Sequence, residues 1–329
     1  GRQLIADPET GNKLLDARPE DVRPCMRCNE ECIGRILRYR SKLSCAVNPA
    51  TGDENAMKLT KVEQPKNVVV IGGGPGGMEA ARACAIRGHK VRLYEKNVLG
   101  GTLNAPATAE FKIQIRKLIE YYKVQLNKLG VEIHEHTELS IDSPILAECD
   151  RIVCATGSKP LSLPIPGISG ANVLGVIDAH LKPELVTGSD LIICGGGMSG
   201  CDFALEAMTA LGRKATVIEM KDDVATDVIM MNQISLKESM AEAGVALRCG
   251  CRVKEITGKG VVVINKEGAE ELIEGDQIIS AFGQTPDKDM VNKLRDKYYK
   301  KTIFIGDCVK AAKSGDAIRG GYCAALSIN

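Results

Sequence analysis

Apolar and polar positions along this chain alternate between two periods. Short Val- and Ile-rich runs open the segments Asn67 to Gly77 (NVVVIGGGPGG) and Asp190 to Gly200 (DLIICGGGMSG) and lead into a glycine cluster. Each run is too short for a helix and apolar on both faces, which predicts a strand buried in a parallel sheet. A helical stretch should follow each cluster, Met78 to Ala85 in one case and Cys201 to Leu211 in the other. Stops at Gly88 and Gly212 then lead to second strands at Lys90 to Glu95 and Lys214 to Glu219. These are two βαβ units of about 30 residues, an internal duplication.

Elsewhere, Glu110 to Leu129 carries apolar residues at Ile115, Leu118, Ile119, Tyr122, Leu126 and Leu129, the spacing of an amphipathic helix that packs on a sheet. Strand-like runs recur at Asp150 to Ala155, Val245 to Leu247, Gly260 to Ile264, Asp276 to Ser280 and Thr302 to Ile305. Helices alternate with strands, so the predicted class is α/β with two Rossmann-like dinucleotide-binding domains. The Pro- and Gly-rich stretch Pro160 to Gly170 reads as a crossing between domains and Phe282 to Asp287 as the crossing back. The expected divisions are residues 1–65, a cysteine-rich piece; 66–163 with 285–329, one dinucleotide domain; and 164–284, a second domain inserted in it.

Composition narrows the function. Forty-three basic residues against 42 acidic leave a net charge of +1, and 7 Tyr, 4 Phe and no Trp give no stacking surface, so nucleic-acid binding is not expected. The longest uncharged run, Pro160 to Ile177, holds three prolines that would break a spanning helix, and no signal peptide precedes it. A soluble, cytoplasmic protein without a membrane partner is the expectation. Thirteen cysteines at irregular spacing suit metal or redox use in a reducing compartment better than a disulfide framework. The first residue is Gly1, not Met, so a piece of a longer chain is expected.

Gly72, Gly74 and Gly77 match G-x-G-x-x-G, and Glu95 ends the next strand 23 residues after Gly72. The first glycine allows the turn, the second lets backbone approach a pyrophosphate, and the third seats helix on strand; the acid can accept hydrogen bonds from an adenosine ribose. Gly195, Gly197, Gly200 and Glu219 repeat the arrangement with a separation of 24. A carboxylate at Glu219 attracts a free ribose 2′-hydroxyl and repels a 2′-phosphate, which favours NADH over NADPH, although Lys221 follows closely.

At these residues the chain resembles the two-dinucleotide-domain flavoprotein reductases, in which the outer domain holds FAD and the inserted one NAD(P)H. Ala155-Thr156-Gly157 matches the return strand of the FAD domain. Gly306-Asp307 matches the late motif whose aspartate contacts the flavin ribityl chain, and Asp316-Ala317-Ile318 the helix whose amides face the flavin pyrimidine ring. Arg116 matches a basic position common in that family, with a surface ion pair as the other reading. The resemblance thus implies FAD contacts at Gly72, Gly74, Gly77, Glu95, Lys96, Gly101, Thr102, Arg116, Ala155, Gly157, Gly306, Asp307 and Ala317. It implies NAD contacts at Gly195, Gly197, Gly200, Glu219 and Gly283. Disulfide reductases place a cysteine pair at the flavin; Gly100 to Asn104 has none and Met198-Ser199 follows the second fingerprint, so thiol chemistry there is not expected. Cys249-Gly250-Cys251 has the wrong spacing for such a pair.

Cys25, Cys28, Cys32 and Cys45 form C-x2-C-x3-C-x12-C. Three thiolates in one loop plus one from further away suit a cubane 4Fe-4S cluster, whereas structural zinc usually takes paired C-x-x-C knuckles. With this loop the resemblance sharpens to the iron-sulfur relatives of old yellow enzyme, such as 2,4-dienoyl-CoA reductase, 2-enoate reductase and trimethylamine dehydrogenase. In these a flavin-bearing TIM barrel precedes the cluster, so Gly1-Arg2 resembles the barrel's end and Arg2 is implied to reach the FMN phosphate. Cys84, Cys149, Cys154, Cys194 and Cys201 fall in predicted strands and helices and read as core thiols. His134 and His136 read as neighbours on one face of a strand, His89 and His180 as turn or surface residues, and Lys293 to Lys301 as a solvated helix end.

The expected activity is the electron-input half of an oxidoreductase: hydride from NADH to FAD, then single electrons through the cluster to FMN on a missing N-terminal barrel, which reduces an activated carbon-carbon double bond. Two rivals stand beside it: an ADP-binding module of an amine-dehydrogenase-like enzyme passing electrons to a carrier protein, and an electron-input subunit resembling the small subunit of glutamate synthase.

Overall fold

The structure, a computed structural model, describes residues 1–329 with the exception of the Tyr39 side chain. The chain divides into two compact units, one of Gly1–Ala107, Lys112–Lys159 and Thr285–Asn329, the other of Thr108–Phe111 and Pro160–Gln284.

The first unit is built on a five-stranded parallel sheet. Its order is Thr302–Phe304, Arg151–Cys154, Asn67–Ile71, Lys90–Tyr94 and Glu132–His134. Val68, Val69, Val70 and Ile71 are all buried, which is what a strand covered on both faces requires. The helix Pro75–Ile86 is buried along most of its length and packs on the helix Ser314–Ser327. Small residues let these two approach closely, since a Cβ on Gly321 would lie 2.1 Å from the Gly76 carbonyl oxygen. The amphipathic helix is Ile113–Lys128, with Leu118, Ile119, Tyr121, Tyr122 and Leu126 buried; Glu110–Lys112, expected as its start, is a 3₁₀ turn.

Residues 1–65 belong to this same unit and contribute Ala6 and Val47 to its core. Arg23 anchors them: its buried guanidinium donates to the Val47 carbonyl at 2.8 Å and to the Tyr121 hydroxyl at 3.3 Å. Beside it, Glu79 and Arg82 form a buried, two-pronged ion pair at 2.9 and 2.8 Å.

The second unit repeats the theme with the parallel order Val173–Gly175, Gln277–Ser280, Asp190–Cys194, Lys214–Glu219 and Ala246–Cys249. An antiparallel sheet of Arg252–Thr257, Gly260–Ile264 and Glu270–Glu274 covers it. Only the middle strand of this sheet is apolar enough to be expected from sequence. The crossing segments Ser158–Pro160 and Gln284–Pro286 pair as a two-stranded ribbon.

The histidine expectations are corrected in part. Both His89 and His180 are buried, His89 in the turn connection after Gly88 and His180 in the helix Val176–Leu181. His89 accepts the Lys66 N–H at Nδ1 and bonds the Ile328 carbonyl through Nε2, while His180 pairs with Glu206 at 2.5 Å. His136 does not continue the strand of His134: its φ is +53°, so it turns the chain, and the two rings do not share a strand face. His134 instead stacks on Tyr94 with ring centroids 4.4 Å apart.

Candidate nucleotide sites and cysteine pocket

The first glycine turn joins Asn67–Ile71 to Pro75–Ile86. Gly72 has φ +102°, and a Cβ there would lie 2.3 Å from the Ala155 carbonyl oxygen; a Cβ on Gly77 would lie 1.9 Å from that of Gly72. These two glycines are required by the fold itself. A Cβ on Gly74, by contrast, would meet only the Gly101 Cα, at 4.0 Å. Open space therefore stands over Gly74 at a helix N-terminus that no side chain caps, a cradle for an anion. Glu95 orients its carboxylate by accepting the Gly73 N–H at 2.6 Å and the Asn97 N–H at 2.8 Å.

The other residues implied for FAD lie in this unit. Lys96 is exposed beside Glu95, and Gly101 and Thr102 open the 3₁₀ turn Gly101–Asn104. Gly157 has φ +79° with open space where a Cβ would point. Gly306 lies against Ala317, in the first turns of Ser314–Ser327. Asp307 accepts the Ser158 hydroxyl and the Ala312 N–H, each at 3.2 Å, and burial raises its carboxyl above the ordinary value. Arg116 donates through Nε to the Ala107 carbonyl at 3.1 Å.

The second unit reproduces these relations. Gly195 has φ +118° and a Cβ there would lie 2.3 Å from the Ala281 carbonyl oxygen; one on Gly200 would lie 2.0 Å from that of Gly195. Glu219 accepts the Gly196 and Lys221 N–H groups, both at 2.8 Å. The Lys221 ammonium reaches the Thr226 hydroxyl at 3.1 Å. Gly283, with φ +99°, also faces open space. One feature departs from the first unit: Asp227 accepts the Met198 N–H at 3.1 Å.

Cys25, Cys28, Cys32 and Cys45 line one small pocket, together with Arg2, Ile5 and Val47. Among the described residues, no three Cys, His, Asp or Glu side chains converge as ligands of a single ion. Four thiols lining one pocket are a donor set chemically suited to an iron-sulfur cluster. Arg27 and Asn29, on either side of Cys28, both have φ +58° and bend the loop around it. Amide N–H groups reach the thiols, from Arg27 to Cys25, Glu30 to Cys28, and Val47 and Asn48 to Cys45. Burial pushes the Cys28 thiol up to about 11 and the Cys45 thiol upward as well. Arg2, in the short helix Arg2–Ala6, donates to Asn29 at 2.5 Å.

Cys84, Cys149, Cys154, Cys194 and Cys201 are buried, as expected of core thiols. Sequence reasoning missed Cys308, which donates to the carbonyls of Ile305 and Cys154 at 3.1 and 3.5 Å. It missed Asp227 too, whose role depends on a loop folding back over a distant turn.

Two parallel sheets, each with a glycine turn, an anion cradle and a terminal acid, define a scaffold for two dinucleotides in one oxidoreductase chain. The chain belongs to the pyridine nucleotide-disulphide oxidoreductase family, which matches residues 66–303. It is 36% identical to a cinnamate reductase of Clostridium sporogenes, over 100% of this chain and 49% of that protein. It is 33% identical to an NADH oxidase of Thermoanaerobacter brockii, over 100% of this chain and 51% of that protein. A solved 2-naphthoyl-CoA reductase superposes with a TM-score of 0.94 at 32% identity, covering 100% of this chain and 50% of that one. The resemblance to enoate-type reductases is therefore met, and FAD and NAD(P)H are the cofactors the family fold supports. The chain spans about half the length of these relatives. Among the described residues, no helix is long and apolar enough to cross a membrane.

Proposed function

We propose that this chain is the electron-input portion of an iron-sulfur flavoprotein reductase, with FAD in the first unit, NADH in the second and a 4Fe-4S cluster on Cys25, Cys28, Cys32 and Cys45. When bound, these groups supply hydride acceptance from NADH at FAD and release of single electrons through the cluster toward FMN on an N-terminal barrel, where an enoate- or enoyl-thioester-type double bond is reduced.

The chain's own residues do the holding. The uncapped N-terminus of Pro75–Ile86, open above Gly74, binds a pyrophosphate, and Glu95 receives ribose hydroxyls. Asp307 receives a ribityl hydroxyl, and the amides opening Ser314–Ser327 hold negative charge at the flavin pyrimidine. Glu219 receives the 2′-hydroxyl of NADH. The amides around Cys25, Cys28 and Cys45 stabilise the thiolates as ligands. The observation that carries the reading is the four-thiol cavity built into the same unit as an empty-topped glycine cradle. Arg2, at the rim of that cavity, is proposed to reach the FMN phosphate once the barrel is present.

Anaerobic purification with metal analysis and absorption spectroscopy should give one flavin and about four irons per chain. Stopped-flow mixing with NADH should bleach the flavin. A colourless, zinc-loaded polypeptide would overturn the reading, and tight ADP binding without bleaching would assign the second unit to a static module.

A further inference from the structure

The two glycine turns differ where Pro75, with no backbone N–H, matches Met198, and in the loops that fold back over them. In each unit the loop after the acid folds back over its turn: Gly100 donates its N–H to the Gly73 carbonyl at 2.9 Å, and Ala225 donates to the Gly196 carbonyl at 2.6 Å. Both residues have positive φ, +116° and +51°. The side chain just before, Leu99 or Val224, crosses the middle glycine of the turn. These matched contacts align Gly100 with Ala225; beyond them the backbones part, Gly101 having φ +55° and opening a 3₁₀ turn while Thr226 has no positive φ. Two residues on, the first unit has Thr102 and the second has Asp227.

The Asp227 carboxylate faces Gly197 at the distance at which the Gly101 Cα faces Gly74 in the first unit. One oxygen would be 4.0 Å from a Cβ on Gly197, and it accepts the N–H of Met198, the first residue of the helix Met198–Thr209. That N–H belongs to the donors a dinucleotide pyrophosphate uses at such a helix end. A carboxylate is favoured there when the site is empty and is in like-charge conflict with a pyrophosphate when it is filled. Asp227 is exposed, so it can swing into water without giving up burial.

We propose that Asp227 is a built-in competitor for the pyrophosphate position of the second site. It sets the affinity low enough for that nucleotide to exchange, while the first site, where Gly101 and no carboxylate faces the cradle glycine, retains its own. This rests on the reading of the second unit as the NADH site: a consumed electron donor must leave after each turnover, and a resident flavin must not.

The test is calorimetric titration of the FAD-loaded, dithionite-reduced chain with NADH, ADP and adenosine, using wild type, D227N, D227T and D227E. D227N and D227T should bind NADH and ADP about five- to tenfold more tightly, D227E should stay near wild type, and adenosine, lacking phosphate, should bind all four alike. Added salt should weaken wild-type binding less steeply than D227N binding, because salt screens the repulsion only wild type has. Unchanged or weaker NADH binding by D227N and D227T, with wild type still binding, overturns this inference and leaves the proposed function standing. An equal gain for adenosine also overturns it, by tracing the effect to loop structure. Failure of wild type and every variant to bind any nucleotide overturns the proposed function, and this inference with it.

Discussion

Glu219 accepts the Gly196 N–H at 2.8 Å, the same bond that Glu95 makes to Gly73 at 2.6 Å within its own unit. In both cases the second carboxylate oxygen takes the N–H two residues further along, at Asn97 or Lys221. The acid therefore has a structural duty before any ligand arrives. Two backbone donors fix its plane and leave its remaining lone pairs for ribose hydroxyls. Duplicating a βαβ unit duplicated this clamp atom for atom.

Removing the clamp separates its two roles. Glu219→Gln keeps an acceptor for Gly196 but removes the charge that repels a 2′-phosphate, so discrimination for NADH over NADPH should fall about tenfold with little loss of stability. Glu219→Ala should lose discrimination and also loosen the glycine turn. Binding constants for the two nucleotides, set beside thermal melting of each variant, check both statements.

The third glycine of each turn should be unforgiving, and the two should fail differently. A methyl on Gly77 or Gly200 would sit about 2 Å from a backbone carbonyl oxygen that cannot give way. Overpacking of this kind costs about 1–3 kcal/mol locally. Gly77→Ala should emerge from purification without FAD, while Gly200→Ala should retain the yellow cofactor and lose NADH binding. Flavin absorbance and NADH titration distinguish the two outcomes.

The reason so much of this fold was legible is visible in Gly72, Gly77, Gly195 and Gly200: each is demanded by a backbone approach too close for a Cβ, so sequence and geometry are tied. The strands Asn67–Ile71 and Asp190–Cys194 were legible because burial on both faces leaves an unbroken apolar run. Arg252–Thr257 and Glu270–Glu274 were not, because one face of each is wet and the charged residues there mask a short period. Single residues were hardest. Burial of His89 and His180 depends on partners at Ile328 and Glu206, and the cap by Asp227 on a loop returning over Gly196. Periodicity carries no trace of such long-range contacts.

The cysteine loop should fail independently of the nucleotide sites. Cys28→Ser or Cys45→Ser removes one corner of the four-thiol cavity and should lower iron to well under half of the wild-type content while FAD content stays near one per chain. Cys84→Ser, in the buried core, should leave iron unchanged. Iron and flavin assays on the same anaerobic preparations decide it.

Asp307 should trade stability against flavin binding in a pH-dependent way. Burial raises its folded pKa, so keeping it ionised at neutral pH costs the flavin-free protein some stability. That cost is present above the raised folded value and disappears as pH falls toward the ordinary carboxylate value of about 4. Flavin-free Asp307→Asn should therefore melt at or above the wild-type temperature at pH 7, with the difference shrinking to nothing near pH 4. Its FAD affinity should drop at neutral pH, where an Asn cannot accept the ribityl hydroxyl as strongly as a carboxylate does. Melting curves of the flavin-free proteins from pH 4 to 8 test the first part, and fluorescence titration with FAD the second.

The Glu79–Arg82 pair offers a last test, of how the cradle is held. Both side chains lie on the helix that follows the first glycine turn, Glu79 fully enclosed and Arg82 nearly so, with two bonds at 2.8 and 2.9 Å. Burial pushes the Glu79 carboxyl up, but the charge and hydrogen bonds of Arg82, with Arg23 and Tyr122 beside them, together outweigh it and hold the carboxyl below its ordinary value, so the pair stays ionised inside the core. Arg82→Ala would take from the buried Glu79 carboxylate its two-pronged partner and leave only the more distant Arg23 charge, which costs up to about 3–5 kcal/mol; replacing both groups, as Glu79→Leu with Arg82→Met, removes the pair together, leaves Arg23 its bonds to Val47 and Tyr121, and should cost less. Urea midpoints of the single and double variants should differ accordingly. FAD should be lost from Arg82→Ala and kept by the double variant, because the pair steadies the helix whose N-terminus is proposed to receive the pyrophosphate.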